Sequence, residues 1–246
     1  MFIPKTNRIE KIFETISLSV QQLENLFSGN TSVYIDYANV RPWAVRLGWN
    51  IDLKRLKQFL TSFDNVKFIK LYDGTLETDE TSRKISWQFK RIFKEGYKTK
   101  PVKIMKHSID YTSIKPDATS LLEQFIRRCL LLNYNIKTIE FLNEKFREMN
   151  QKGIYYIEDR KCNFDVEIGR DMLLDFERNN VDTFVLWSGD SDFHDPIKQL
   201  LEDKKKVILF ATAGRVAREL NDLQKAGLEI FDIKKIREFI CWKEQI

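Results

Sequence analysis

The 246-residue sequence predicts an α/β fold, a central and mainly parallel sheet with helices on both faces. Short apolar runs alternate with amphipathic stretches along most of the chain. Short acids stand just past the ends of two of those runs, where open parallel sheets bind their ligands. No internal repeat, low-complexity tract or Gly/Ser linker interrupts the pattern.

Taken in order, Ile9 to Leu26 places Ile12, Phe13, Ile16, Val20 and Leu23 at helical spacing and predicts one leading amphipathic helix within an N-terminal extension, residues 1–30. The main domain is read over 31–246. Ser32 to Ile35 is a short buried strand ending at Asp36. Asp52 starts a helix through Phe63, with Leu53, Leu56, Phe59 and Leu60 facing inward. Val66 to Leu71 is the second strand, and a basic helix runs from about Thr81 to Lys94. A third strand follows Gly96, from Tyr97 to about Met105.

The alternation then pauses. Pro116-Asp117 opens a helix through Leu132 and Thr138 to Met149 predicts another, so about 108–160 reads as a helical insertion. Beyond it come a helix over Phe164 to Phe176, a strand over Thr183 to Trp187 and a helix from Pro196 to Leu201. A strand over Val207 to Phe210, a helix over Gly214 to Ala226, a strand over Leu228 to Phe231 and a closing helix over Ile233 to Ile240 complete the chain.

A content of 43% hydrophobic and 31% charged residues excludes a disordered or fibrous chain. The net charge of +5 is modest, but its distribution is uneven. Arg83, Lys84, Lys90, Arg91, Lys94, Lys98, Lys100, Lys103 and Lys106 face a single acid, Glu95, whereas acids dominate from Asp165 to Asp195. A basic flank beside an acidic site suits a polyanion held by one and attacked at the other, although lysine-rich helix faces are common in any protein. Cys129, Cys162 and Cys241 form neither a zinc spacing nor a disulfide framework, which points to reduced thiols and a cytoplasmic protein. With His107 and His194 as the only histidines, a histidine-rich zinc site is excluded. No segment has the length and apolarity of a signal peptide or membrane span.

The chemistry-bearing residues fall in four places. These are Asp36 and Asn39 in VYIDYANV; Asp165, Glu167 and Asp171 in KCNFDVEIGRDMLLD; Asp190, Asp192 and Asp195 in SGDSDFHD; and Arg215 and Arg218 in GRVAR. Carboxylates converging in one cleft cannot all stay ionised without compensating charge, and hard divalent cations with oxygen ligands supply it. Such ions also promote phosphoryl displacement. Each acid has an ordinary alternative. Asp195 before Pro196 reads as a helix cap, Asp36 alone could be a turn residue, and Asp165 in a first helical turn complements the dipole. Asp171, six residues on, is rotated well round the helix and is free to pair with Arg215 or Arg218 or to face water. Glu167 reads as solvated and His194 as a rim residue. Trp43 and Trp49, on the loop expected after Asp36, are candidates for stacking on unpaired bases. An aspartyl-phosphate phosphatase is excluded, because Asp36 is followed by Tyr37 and Ala38 and lacks the required second acid.

The ordered set of IDYAN at Ile35 to Asn39, the Lys161…Asp165-Val166…Asp171 segment, SGDSDF at Ser188 to Phe193, and the terminal KKVILFATAGRVARELNDLQKAGLEIFDI resembles the NYN domains of the PIN-like nuclease group. The likeness runs from about Val33 to Ile240, with the insertion less similar. It implies a Rossmann-like PIN/NYN fold and metal-dependent ribonuclease activity. By position it implies metal-binding roles for Asp36, Asp165, Asp190 and Asp192, with Asn39 alongside. The expectation is therefore a magnesium- or manganese-dependent ribonuclease, cutting RNA endonucleolytically. Arg215 and Arg218 are candidates for phosphate contact, with Lys84, Arg91 and Lys94 steering the backbone. RNA is the expected partner and a homodimer is left open. The rival readings are a non-catalytic RNA-binding adaptor of the same fold and a structure-specific DNA nuclease.

Overall fold

The computed structural model describes residues 1–109, 136–212 and 215–242. The helix expected from Pro116 to Leu132 lies outside the described residues. The chain divides into two compact units, Met1–Val102 with Cys162–Ile246, and Lys103–Lys161.

In the first unit, strands β1 (Thr31–Asp36), β2 (Val66–Thr75) and β3 (Tyr97–Pro101) join β6 (Thr183–Trp187), β7 (Lys206–Ala211) and β8 (Glu229–Asp232). They form one sheet in the order β3-β2-β1-β6-β7-β8, every neighbouring pair parallel. All residues of β1 and β6 are buried, as expected of central strands covered on both faces. Side chains alternate between two cores. Val33, Ile35, Val185, Trp187 and Phe210 share one with Leu56 and Phe59 of α5 (Leu53–Leu60) and Phe89 and Phe93 of α6 (Glu80–Phe93). Tyr34, Tyr72, Phe184 and Leu186 share the other with Ile168 and Met172 of α8 (Asp165–Arg178) and Ile197 and Leu200 of α9 (His194–Glu202).

Several elements differ from expectation for local reasons. The leading helix is two, α1 (Asn7–Thr15) and α2 (Leu18–Leu26), separated at Ile16 and Ser17. The run Thr15-Ile16-Ser17 joins β-branched and hydroxyl residues, all weak helix formers. The stretch after Asp36 is no open loop, because α3 (Tyr37–Val40), a 3₁₀ turn (Arg41–Trp43) and α4 (Ala44–Leu47) follow at once. The third strand ends at Pro101, which lacks an N–H and is tolerated because β3 is an edge strand. The helix expected over Gly214 to Ala226 begins only at Arg218, as α10 (Arg218–Asp222). Ala217 before it is extended, its N–H donating to the Gly189 carbonyl. The closing helix is a 3₁₀ turn (Ile233–Ile236) followed by α11 (Arg237–Ile240).

In the second unit, β4 (Lys103–Ser108) pairs antiparallel with β5 (Tyr156–Lys161). Strand β5 thus lies in a stretch read as helical, while the expected Thr138–Met149 helix falls within α7 (Ile136–Gln151). Buried Asn150 donates to the carbonyls of Ile109 and Ile154, tying the end of α7 to the chain around it.

Candidate functional site

Strand order reverses between β1 and β6, so the crevice at their carboxyl ends is the topological switch point where doubly wound sheets bind ligands. The residues that end β1 and follow β6 meet there. Asp36 closes β1, and Ser188, Gly189 and Asp190 leave β6. Ser188 Oγ donates to Asp36 Oδ2 at 3.1 Å, Asn39 N–H donates to Asp36 Oδ1 at 3.3 Å, and the Gly189 N–H donates to Asn39 Oδ1 at 3.3 Å. Two adjacent strand ends are thereby laced through side chains.

Capping and site formation coexist in the same residues. Asp36 caps α3, and Asp190 caps the 3₁₀ turn Ser191–Phe193 by accepting the Asp192 N–H at 3.2 Å on Oδ1. Asp190 Oδ2 is not used by that cap.

Asp165, at the start of α8, faces the turn that carries Asp190 and Asp192. Each of the three offers a carboxylate oxygen within 4.8 Å of the other two. Asp36 stands outside this group, one step behind it through Ser188. Asp165 and Asp192 also line a surface depression of about 660 Å³ with Asn163, Arg170 and Pro196.

Crowding of like charge is visible in the acidities. Burial, foremost, and then the charges of Asp190 and Asp192 and a hydrogen bond with Asp192, push Asp165 up to about 6 against the pull of Asn163. Burial likewise pushes Asp36 up to about 6, opposed by its hydrogen bonds from Asn39 and Ser188 and aided by Asp165 and Asp190. Three carboxylates this close need a proton or a cation among them. The donor set is all oxygen, with no histidine or cysteine, which fits a hard divalent ion such as magnesium or manganese.

The sequence reading missed Asp73. It lies near the carboxyl end of β2 with 5% of its surface exposed, and burial raises its carboxyl to about 6 against the nearby Arg41 guanidinium. Its signal is present in LYDG, an acid after a buried run, but the expected strand stops at Leu71, whereas β2 runs on to Thr75. Asp171 pairs with neither Arg215 nor Arg218. It accepts the Tyr72 hydroxyl at 2.8 Å and Arg170 Nη2 at 3.1 Å. One turn later, Asp175 is buried and accepts from Tyr34 (2.5 Å), Lys70 (2.8 Å), Asn179 (2.8 Å) and Ser32 (3.3 Å). That network pins α8, and hence Asp165, to β1 and β2.

Gly189 permits the loop to close. A Cβ there would stand 1.7 Å from the Arg215 carbonyl oxygen and 3.3 Å from the Trp43 ring. Beside this contact a pocket of about 490 Å³ is lined by Asn39, Trp43, Gly189, Arg215, Val216 and Ala217. Among the described residues, buried Arg215 Nε has no hydrogen-bond partner. Arg218 is exposed at the start of α10.

The remaining candidates are dispersed. Lys84 is exposed on α6 and pairs with Glu80 at 2.8 Å, and Arg91 lies 4.8 Å over the ring of Trp87. Trp43 is 2% exposed and packs in the core, so it offers no face to a base. Trp49 is half-buried against the same core. Glu167 is not simply solvated, because it pairs with Lys100 at 2.5 Å. Asp195 is no cap, since α9 starts at His194 and the Asp195 carboxylate instead meets His194 Nδ1 at 2.8 Å.

A parallel sheet with this strand order, carrying an acid cluster at its switch point, is an α/β arrangement of the PIN-like kind. A family model described as the NYN domain matches residues 30–234, and the chain belongs to that family. It is 33% identical over 107 residues to low amplitude and bright protein LabA of Synechococcus elongatus, a match covering 44% of this chain and 54% of LabA. The chain thus spans about half the length of that relative. A solved protein of unknown function from Vibrio parahaemolyticus aligns with 87% of this chain and 97% of its own, at a TM-score of 0.48 and 13% identity. Among the described residues no helix is long and apolar enough to cross a membrane.

Proposed function

We propose that this chain is a magnesium- or manganese-dependent ribonuclease that hydrolyses RNA phosphodiester bonds endonucleolytically in the cytoplasm. The observation that carries the reading is the approach of Asp165, Asp190 and Asp192, with carboxylate oxygens within 4.8 Å of one another at the carboxyl end of the sheet. These three would hold the cation, with Asp36 as the fourth acid of the set. A divalent ion bound there supplies charge neutralisation and activation of water for attack on phosphorus.

The chain's own residues do the rest. Ser188 and the Asn39 N–H fix the Asp36 carboxylate, and the Asn39 side chain holds the Gly189 loop so that Asp190 faces Asp165. Arg215 Nε finds no hydrogen-bond partner among the described residues, and a phosphate oxygen near the guanidinium would supply an acceptor. Arg215 therefore binds the phosphate next to the acids, with Arg218 beside it, while Lys84 and Arg91 steer the strand from further away.

The test is incubation of purified protein with single-stranded and hairpin RNA in magnesium, manganese or EDTA, beside Asp36→Asn and Asp190→Asn. Metal-dependent cutting that is lost in both variants is the expected result. Intact RNA under every condition, with wild type and variants folded and binding RNA equally, would move the assignment to a non-catalytic RNA-binding adaptor. Preferential cutting of DNA would move it to the structure-specific DNA nuclease.

A further inference from the structure

A second charged feature lies at the other end of the sheet. Two depressions of about 540 and 470 Å³ adjoin at Lys57 and Thr61, which line both, and together make a basic groove. It starts between α5 and α6, turns round the amino ends of β2 and β3, and reaches Asp175 in the last turn of α8 and Asn179 just after it. Lys54, Lys57, Lys67, Arg91, Lys94 and Lys98 line it, five of them exposed and Lys57 half-buried.

Little opposes that charge. Of the two acids in the lining, Asp175 is buried and already bonded by Lys70 and three neutral donors, which leaves Glu95. Burial, foremost, and then the nearby charge of Lys94 lower the pKa of the Lys57 ammonium from its usual value. Apolar surface is interleaved with the cations. Phe68, 39% exposed, lines the groove; Trp87, 58% exposed, lies outside the lining and carries the lining residue Arg91 over its ring at 4.8 Å. Cations beside an exposed aromatic ring suit single-stranded nucleic acid, with phosphates on the former and an unpaired base on the latter.

We infer that this groove binds the phosphodiester backbone of single-stranded RNA, as a site separate from the acid cluster. The separation follows from topology. The acids stand at the carboxyl ends of the strands and the groove at their amino ends, and the ten residues of β2 span about 30 Å. RNA bridging the two must therefore be several nucleotides longer than the segment that fills the acidic crevice. The inference rests on RNA being the ligand named above, but it does not require that the RNA be cut.

The test measures binding in EDTA by fluorescence anisotropy, using Asp190→Asn protein with and without Lys67→Glu and Lys98→Glu. Both lysines are exposed, so the fold should survive their reversal. The probes are a short oligoribonucleotide of about 5 nucleotides, a single strand of about 25, and a duplex of the latter length. A single-stranded site should favour the long single strand over both other probes. The double reversal should weaken that strand at least about tenfold and lower the slope of log K on log salt by about 1.4. Short-probe affinity, and wild-type cleavage of the short oligonucleotide where cleavage occurs, should not change. Unchanged long-strand affinity after reversal, equal weakening of short and long probes, or preference for the duplex would each overturn the inference.

Discussion

Ser188 Oγ donates to Asp36 Oδ2 at 3.1 Å, and both residues are buried. This one bond joins the end of β1 to the loop after β6 across the switch point. It places the acid outside the three-carboxylate group in electrostatic contact with those inside it, since Asp36 feels both Asp165 and Asp190. Ser188→Ala leaves Asp36 with the Asn39 N–H alone and loosens the loop that presents Asp190. Residues that orient ligands from behind typically carry a 10- to 100-fold effect, so manganese affinity should fall by about that factor with the fold intact. Isothermal titration with manganese, beside a thermal melt, reads the two quantities separately.

The buried Asp73 sets a pH dependence. Its folded carboxyl sits at about 6 against an ordinary 3.8, so the folded protein holds that proton more tightly than the unfolded chain does. The resulting stabilisation is complete below about pH 4 and is lost as pH rises through about 6. Asp73→Asn should therefore stabilise the metal-free protein at pH 7.5 by roughly 2 to 3 kcal/mol and have little effect below pH 4. Urea denaturation in EDTA at acid and neutral pH checks both the size and the sign.

The same direction of shift at Asp36 and Asp165 couples cation binding to proton release. A cation must displace protons from carboxyls pushed up to about 6, so manganese affinity should weaken as pH falls from 7.5 to 5.5. Titration in buffers of different ionisation enthalpy would count the protons released. An affinity that does not change across that range contradicts the coupling.

Asp175 supports α8 from beneath. Asp175→Ala leaves the Lys70 ammonium and the Tyr34 and Ser32 hydroxyls without their common acceptor. Removing one partner of a buried pair typically costs about 3 to 5 kcal/mol. The loss should appear in denaturant titrations with no metal present, which separates it from any effect on the centre.

Gly189→Ala places a methyl group 1.7 Å from a backbone carbonyl oxygen, which cannot move as a flexible side chain would. Overpacking of this kind costs about 1 to 3 kcal/mol. Because the displaced segment carries Asp190 on one side and Arg215 on the other, manganese affinity should fall with stability. A variant as stable as wild type that binds manganese equally well contradicts the role assigned to this contact.

The strand framework was legible because its signal is local. Fully apolar runs such as Phe184 to Trp187 can only be buried strands in this setting, and an acid just beyond such a run marks the ligand-binding end of the sheet. The approach of Asp165 to Asp190 and Asp192 depends on how α8 packs, and that packing is decided by Asp175, which in sequence looks like one more solvated helix acid. Only the register that sets Tyr34 and Lys70 beneath α8 reveals its burial. Trp43 misled in the opposite direction, because a tryptophan in an expected loop suggests an open ring face while compact turns after β1 carry it into the core. Arg215 was placed on a helix by periodicity, which does not register the Ala217-to-Gly189 backbone bond that keeps the chain extended.

In the proposed centre, aspartates from two separate segments hold one cation. Anomalous diffraction from manganese-soaked crystals of the wild-type protein would locate that cation. One strong peak ligated by Asp165, Asp190 and Asp192 is expected, and it should disappear in Asp190→Asn crystals soaked alike. No peak at these carboxylates at millimolar manganese and neutral pH, or a peak that survives the substitution unchanged, would contradict that centre.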